Sequence, residues 1–250
     1  MRESGRGAVR GSMLLLNETA LVTGAGGPSG RAISEAIARE GGGLLLTDND
    51  ERSGQLTHDA ILAQGGQSFF LPADLTGAEA SQRAFDCALA KLGKISIFVH
   101  CANPNHFGAS VSTVTEEAWL STLSVNVLAA ARLGRLLGQH MREHAINGRM
   151  LFVTSLHAQT PSLVPHYSAA KAALEMLMKE FAIALGPFGI RVNAIAPGMI
   201  APERLPVHEP FMRATAMRRI GSPEELANTA IAVLSDRFGS FVAGTTITVD

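Results

Sequence analysis

Cysteine is almost absent from this 250-residue chain: Cys87 and Cys101 are the two, and they lack CxxC spacing. That scarcity excludes a disulfide framework and a cysteine-rich zinc site, and it implies a reducing, cytoplasmic compartment. An excess of one charge is missing as well. Twenty-one basic residues face 22 acidic ones for a formal net charge of -1, so there is no basic footprint for nucleic acid. No uninterrupted apolar run approaches the roughly 18 residues that a membrane span needs. The opening "MRESGRGAVRGSMLLLNETA" holds only a short apolar run, too brief for a signal-peptide core. Residues 1–12 read as a disordered tail, with Met13 as an alternative beginning. Aromatics are only 5% of the chain, and Tyr167 is its single tyrosine.

What is present is apolar: 46% of residues, against 17% charged, a balance that suits a sizeable buried core. Short β-rich runs alternate with helical patterns. "TALVT" (19–23) precedes a helix near 29–40, "GLLLT" a helix near 51–64, and "QSFFL" a helix near 76–91. "ISIFVH" (95–100) leads to a longer helix near 115–144, and "RMLFVTS" to the helix carrying Tyr167. "IRVNAI" (190–195), a helix near 223–235 and a final strand "TTITV" complete the order. Buried runs separated by helices predict an α/β fold: a doubly wound parallel sheet of about seven strands, covered on both faces. Residues 13–250 are expected to form one Rossmann-type domain. Ligands of such sheets sit at the carboxyl ends of the strands, where the unusual polar residues of this chain fall.

The first of these places is "TGAGGPSGRAISEAIA", where Gly24, Gly26, Gly27 and Gly30 follow the first strand and open the first helix. Such a loop lets backbone approach a pyrophosphate, which the amides and dipole of the helix N-terminus favour. Pro28 lacks an N–H, but its fixed φ suits a first helical turn, leaving neighbouring amides such as that of Ser29. Asp48 ends the second strand, 24 residues beyond Gly24, where a carboxylate bonds the ribose hydroxyls of adenosine and repels a 2′-phosphate. With no Lys or Arg inside the glycine loop or at 49–51, NAD is expected over NADP. The bland alternative for Asp48 is a helix cap. Asp74, after the third strand, either accepts from an adenine amine or caps locally.

These motifs, in this order, resemble the classical short-chain dehydrogenase/reductases from about residue 17 onward. The resemblance rests on the glycine loop, Asp48, Asp74, "HCAN" in place of the family's NNAG, Asn126 in "SVNVLAAA", Ser155 in "LFVTS", "YSAAK" and "RVNAIAPG". It implies NAD(P)-dependent interconversion of a secondary alcohol and a ketone by a homotetramer or homodimer. Tyr167 would be the general acid–base. A free phenol has a pKa of about 10, and the ammonium of Lys171 one helical turn away would lower it. Lys171 would also bond the nicotinamide ribose, Ser155 would hold the substrate oxygen, and Asn126 would support a water relay. The cofactor contacts implied are Gly24, Gly26, Gly27, Ser29, Gly30, Asp48, Asp74, Leu75, Ala102, Tyr167, Lys171, Pro197, Gly198 and Ile200. No metal is implied.

Each assignment has a rival. Thr154 competes with Ser155, which stands 12 residues before Tyr167 where the family commonly shows 13. Asn126 fits a hydrogen-bonded core amide, and Asn193 a local backbone role. His100 and Cys101 read as packing residues, and His157 as a neutral pocket wall. The segment 199–219, with Pro202, Pro206 and Pro210, reads as a substrate lid. Pro202 replaces a threonine that holds the carboxamide in many relatives, and relatives continue beyond "TVD" with two glycines and a short tail. "HMREH" (140–144) matches an inverted zinc-protease spacing, but helix-end histidines are also favoured by the dipole. A non-catalytic dinucleotide-binding regulatory protein is the remaining alternative to an enzyme.

Overall fold

The computed structural model describes residues 13–104, 109–201 and 215–250. The expected tail (1–12), His106 and Phe107 (which the sequence offers, with His157 and Gln159, as pocket walls), and most of the expected lid, Pro202 included, lie outside them. Seven strands form one parallel sheet in the order β3-β2-β1-β4-β5-β6-β7. They are β1 (Thr19–Thr23), β2 (Gly43–Asp48), β3 (Ser68–Pro72), β4 (Ile97–His100), β5 (Arg149–Val153), β6 (Arg191–Pro197) and β7 (Thr246–Val249). The helices α1 (Pro28–Arg39), α2 (Glu51–Ala63), α3 (Ala78–Leu92), α4 (Glu116–Leu123), α5 (Ala129–Glu143), α6 (Pro165–Leu185) and α7 (Pro223–Leu234) fill the crossovers.

The apolar runs are continuous because both faces of the sheet are covered. Successive residues of a strand point to opposite faces, and β1 divides accordingly. Leu21 joins a cluster with Phe98, Phe152, Leu133, Leu137, Leu174 and Met178, on the face of α3, α5 and α6. Ala20 and Val22 join the opposite cluster with Ile33, Ile37, Ile61, Leu226 and Ile231, on the face of α1, α2 and α7.

Local signals set the helix starts. Pro28 occupies the first position of α1, after Gly27 as N-cap. Asp50 caps α2, accepting from the Ser53 amide at 3.1 Å, so the cap of that helix is not Asp48. Ser222 and Glu225 form a reciprocal capping box at α7. The expected helix near 115–144 departs from regularity: Ser124–Leu128 form a π-helical turn between α4 and α5. Asn126 lies in that turn, its Nδ2 donating to Thr122 O at 3.1 Å and to Asn103 Oδ1 at 3.0 Å. Helical periodicity cannot signal one inserted residue, and π-turns of this kind recur at functional sites.

Candidate active site

At the carboxyl ends of β1, β2, β5 and β6 opens a cavity of about 610 Å³. Gly24, Gly26, Gly27, Ser29, Gly30, Asp48, Ser155, Tyr167, Lys171, Pro197, Gly198 and Ile200 all line it. A neighbouring cavity of about 310 Å³ shares Gly24, Asp48 and Asn103 with it and adds Asp74, Leu75 and Ala102. Every expected cofactor-contacting residue therefore falls on one of two adjoining cavities.

The glycine loop is built by close backbone approach. Gly24 has φ +68°, and a Cβ there would lie 2.5 Å from the Ala102 nitrogen. A Cβ on Gly30 would lie 2.0 Å from Gly24 O, so α1 starts tight against the turn. Asp48 Oδ2 accepts from the Gly26 amide at 2.8 Å, and its Oδ1 accepts from the Asp50 amide at 2.9 Å. The carboxylate thus both shapes the loop and faces the cavity. Asp74 is exposed and accepts from the Thr76 amide at 3.0 Å, a local turn that leaves it on the wall of the smaller cavity.

Tyr167 and Lys171 sit one turn apart on α6, with Lys171 Nζ 5.7 Å from the Tyr167 ring centroid. Lys171 is only 3% exposed and donates to Val153 O at 3.0 Å. Burial pulls its ammonium down to about 8, with Cys101 opposing. Burial pushes the Tyr167 phenol up from its ordinary value of 10.0, and a hydrogen bond with Ser155 opposes this. The direction is opposite to the one expected from Lys171 alone: the charged phenolate loses more to desolvation here than it gains from its neighbours. Ser155 is buried and caps the short 3₁₀ turn Leu156–Ala158, accepting from the His157 amide at 3.2 Å.

Thr154, the rival of Ser155, is committed to the sheet: its hydroxyl donates to Ile195 O at 3.0 Å. Asn126 does not line either cavity. It is fully buried behind Asn103, which lines both, and its Oδ1 has no hydrogen-bond partner. Sequence reasoning passed over Asn103 because the match to NNAG ended at Ala102, although the strand-end rule does point to that position. His100 bridges Thr23 Oγ1 (2.8 Å) and Val125 O (3.1 Å), so both ring nitrogens serve packing. Burial, with the charge of Lys171, holds it down to about 3, and burial holds the Cys101 thiol up at about 12. Asn193 donates to Val242 O at 2.7 Å and accepts from the Thr245 amide, a local backbone role. In "HMREH", His140 Nε2 accepts from the Ile95 amide at 3.4 Å and Glu143 accepts from Gln139.

The glycine cradle, the carboxylate at the end of β2 and a buried lysine beside a tyrosine define a class that sequence comparison also finds. A family model described as Enoyl-(Acyl carrier protein) reductase matches residues 28–250. The "Short-chain reductase protein NovJ" of Streptomyces niveus is 33% identical over 243 residues, covering 92% of each chain. The "L-rhamnose 1-dehydrogenase (NAD(P)(+))" of Azotobacter vinelandii is 31% identical over 252 residues, covering 95% of this chain and 97% of that one. A structure of 7 alpha-hydroxysteroid dehydrogenase complexed with NADH and 7-oxo glycochenodeoxycholic acid superposes with a TM-score of 0.86. It is 30% identical and covers 95% of this chain and 94% of that one. The chain belongs to the short-chain dehydrogenase/reductase family. It is an oxidoreductase of the type that acts on CH–OH groups.

Proposed function

We propose that this enzyme interconverts a secondary alcohol and a ketone, using NAD in preference to NADP, in the cytoplasm and as a homodimer or homotetramer. The observation that carries the reading is the shared cavity: Tyr167, Lys171 and Ser155 open onto the same space as the glycine cradle and Asp48.

The cavity suits a dinucleotide by shape and charge. Gly27 has nothing nearer than 3.6 Å to the place its Cβ would occupy, so backbone is open to a close ligand there. The amides of Ser29 and Gly30 at the start of α1 have no partner four residues back inside the helix and are available to a diphosphate. Gly24 and Gly26 complete that cradle. Asp48 accepts from ribose hydroxyls and disfavours a 2′-phosphate, while Asp74, Leu75 and Ala102 border the adenine end. Pro197, Gly198 and Ile200 border the nicotinamide end, and Lys171 reaches its ribose. When bound, NAD supplies the hydride acceptor, and NADH the donor.

Ser155 positions the substrate oxygen beside Tyr167, and Tyr167 transfers the proton. A phenol held up by burial stays protonated at neutral pH, which suits donation to a developing alkoxide as a ketone is reduced. Oxidation needs the phenolate, which the Lys171 ammonium supports. Asn126, through Asn103, supports a proton relay behind Lys171. The alternative of a non-catalytic regulatory protein has no chemical use for this set of groups.

The test is a panel of secondary alcohols and ketones followed by NADH absorbance, with NAD and NADP in parallel. The proposal expects turnover with a higher kcat/KM for NAD. A clear NADP preference contradicts the role given to Asp48, and absence of turnover with every alcohol and ketone of the panel contradicts the reaction.

A further inference from the structure

One buried carboxylate has no part in the chemistry above. Glu175 lies on α6, one turn beyond Lys171 and two beyond Tyr167, and is 7% exposed. A leucine at this position would bury apolar surface without the desolvation cost of a charge. What the carboxylate does instead is reach out of the helix. Gln159 Nε2 donates to its Oε1 at 3.2 Å and to its Oε2 at 3.5 Å, and Lys179 Nζ pairs with Oε1 at 3.2 Å.

Gln159 closes the 3₁₀ turn Leu156–Ala158, of which Ser155 is the opening cap. The connections form a ring: Ser155 bonds the Tyr167 phenol, α6 runs from Tyr167 to Glu175, Glu175 holds Gln159, and the turn returns to Ser155. Within that turn, His157 donates its amide to Ser155 Oγ and places its ring 6.4 Å from the Tyr167 ring. Gln159 and His157 also line a further cavity of about 440 Å³ beside the start of α6. The turn is short and half-exposed, and the Gln159–Glu175 bond ties its far end to α6.

We infer that Glu175 and Gln159 are positioning residues that brace the Ser155 turn against the helix carrying Tyr167, and so fix the distance between the substrate-oxygen donor and the proton-transfer group. The inference rests on the roles proposed for Ser155 and Tyr167. Loss of the brace loosens the substrate side of the site and leaves the glycine cradle and Asp48 untouched.

The test is a double-mutant cycle on the full chain with E175A, Q159A and the pair, with E175Q as the conservative variant. Gln159 is exposed, so Q159A tests the brace even where E175A compromises folding. Both single variants should lower kcat with the ketone or alcohol by about tenfold, the scale of a small misplacement of reacting groups. The pair should be no worse than either alone, E175Q should retain most of kcat, and NAD affinity by fluorescence should not change. Unchanged kcat in Q159A, additive losses in the pair, or losses matched by weaker NAD binding would overturn the brace. Y167F run alongside separates the two readings: full turnover in that variant sinks the proton-transfer role, whereas a dead Y167F with an unaffected Q159A sinks the brace alone.

Discussion

At the scale of single residues, burial decides the chemistry more than charge pairing does. Tyr167 is held above its ordinary value and Lys171 is drawn down to about 8. Ketone reduction should therefore be flat through neutral pH, where the phenol is protonated and the lysine charged, and should fall above about pH 8 as the ammonium is lost. A pH profile of kcat for reduction checks this; a rise through that range would contradict it. His100 gives a separate, stability-linked expectation. Its folded value of about 3 lies below the ordinary value of 6.5, so the unfolded chain takes up a proton that the folded chain refuses. Its contribution to stability is present above pH 6.5 and is lost as pH falls toward 3, at up to about 1.4 kcal/mol per pH unit. Denaturant midpoints measured from pH 7 to 4 should fall, and less steeply in H100Q. Asp48 carries the cofactor choice: D48A should lower kcat/KM for NAD while raising it for NADP, and an unchanged ratio would remove that role.

At the scale of elements, the loop between β1 and α1 is the least tolerant part of the site. A side chain on Gly30 would drive into Gly24 O, so G30A should shift the start of α1 and cost about 1–3 kcal/mol of stability, with weaker NAD binding. Thermal melts and fluorescence titration read the two effects separately. Such local requirements are also why much of the fold could be read in the chain. The strands carried continuous apolar runs because both faces are buried, and Pro28, Asp50 and Ser222 mark helix starts by known local chemistry. The glycine loop, Asp48 and the Tyr167–Lys171 spacing were readable for the same reason. The π-turn at Ser124–Leu128 was not, since one inserted residue leaves the apolar pattern of a long helix almost unchanged. The direction of the Tyr167 shift was hidden as well: spacing places the lysine, but desolvation depends on residues brought together from β5, α6 and the turn after Ser155. The Glu175–Gln159 bond joins residues 16 apart through tertiary packing that no local pattern announces.

At the scale of the molecule, the two-faced core places all the polar strand ends along one edge of the sheet. Among the described residues, no helix is long and apolar enough to cross a membrane. Apolar side chains nonetheless stand exposed on the neighbouring α4 and α6: Leu120, Met176 and Ile183. The proposed assembly would cover such side chains. Light scattering on the purified protein should give two or four times the 26.3 kDa of one chain, and a monomer at micromolar concentration would contradict that proposal. The central claim is that one aromatic hydroxyl moves the proton that accompanies hydride transfer. Turnover of Y167F with a substrate of the native enzyme tests it most directly. A loss of about 10²–10⁴-fold in kcat with unchanged NAD affinity is the predicted result, and turnover close to that of the native enzyme would contradict it.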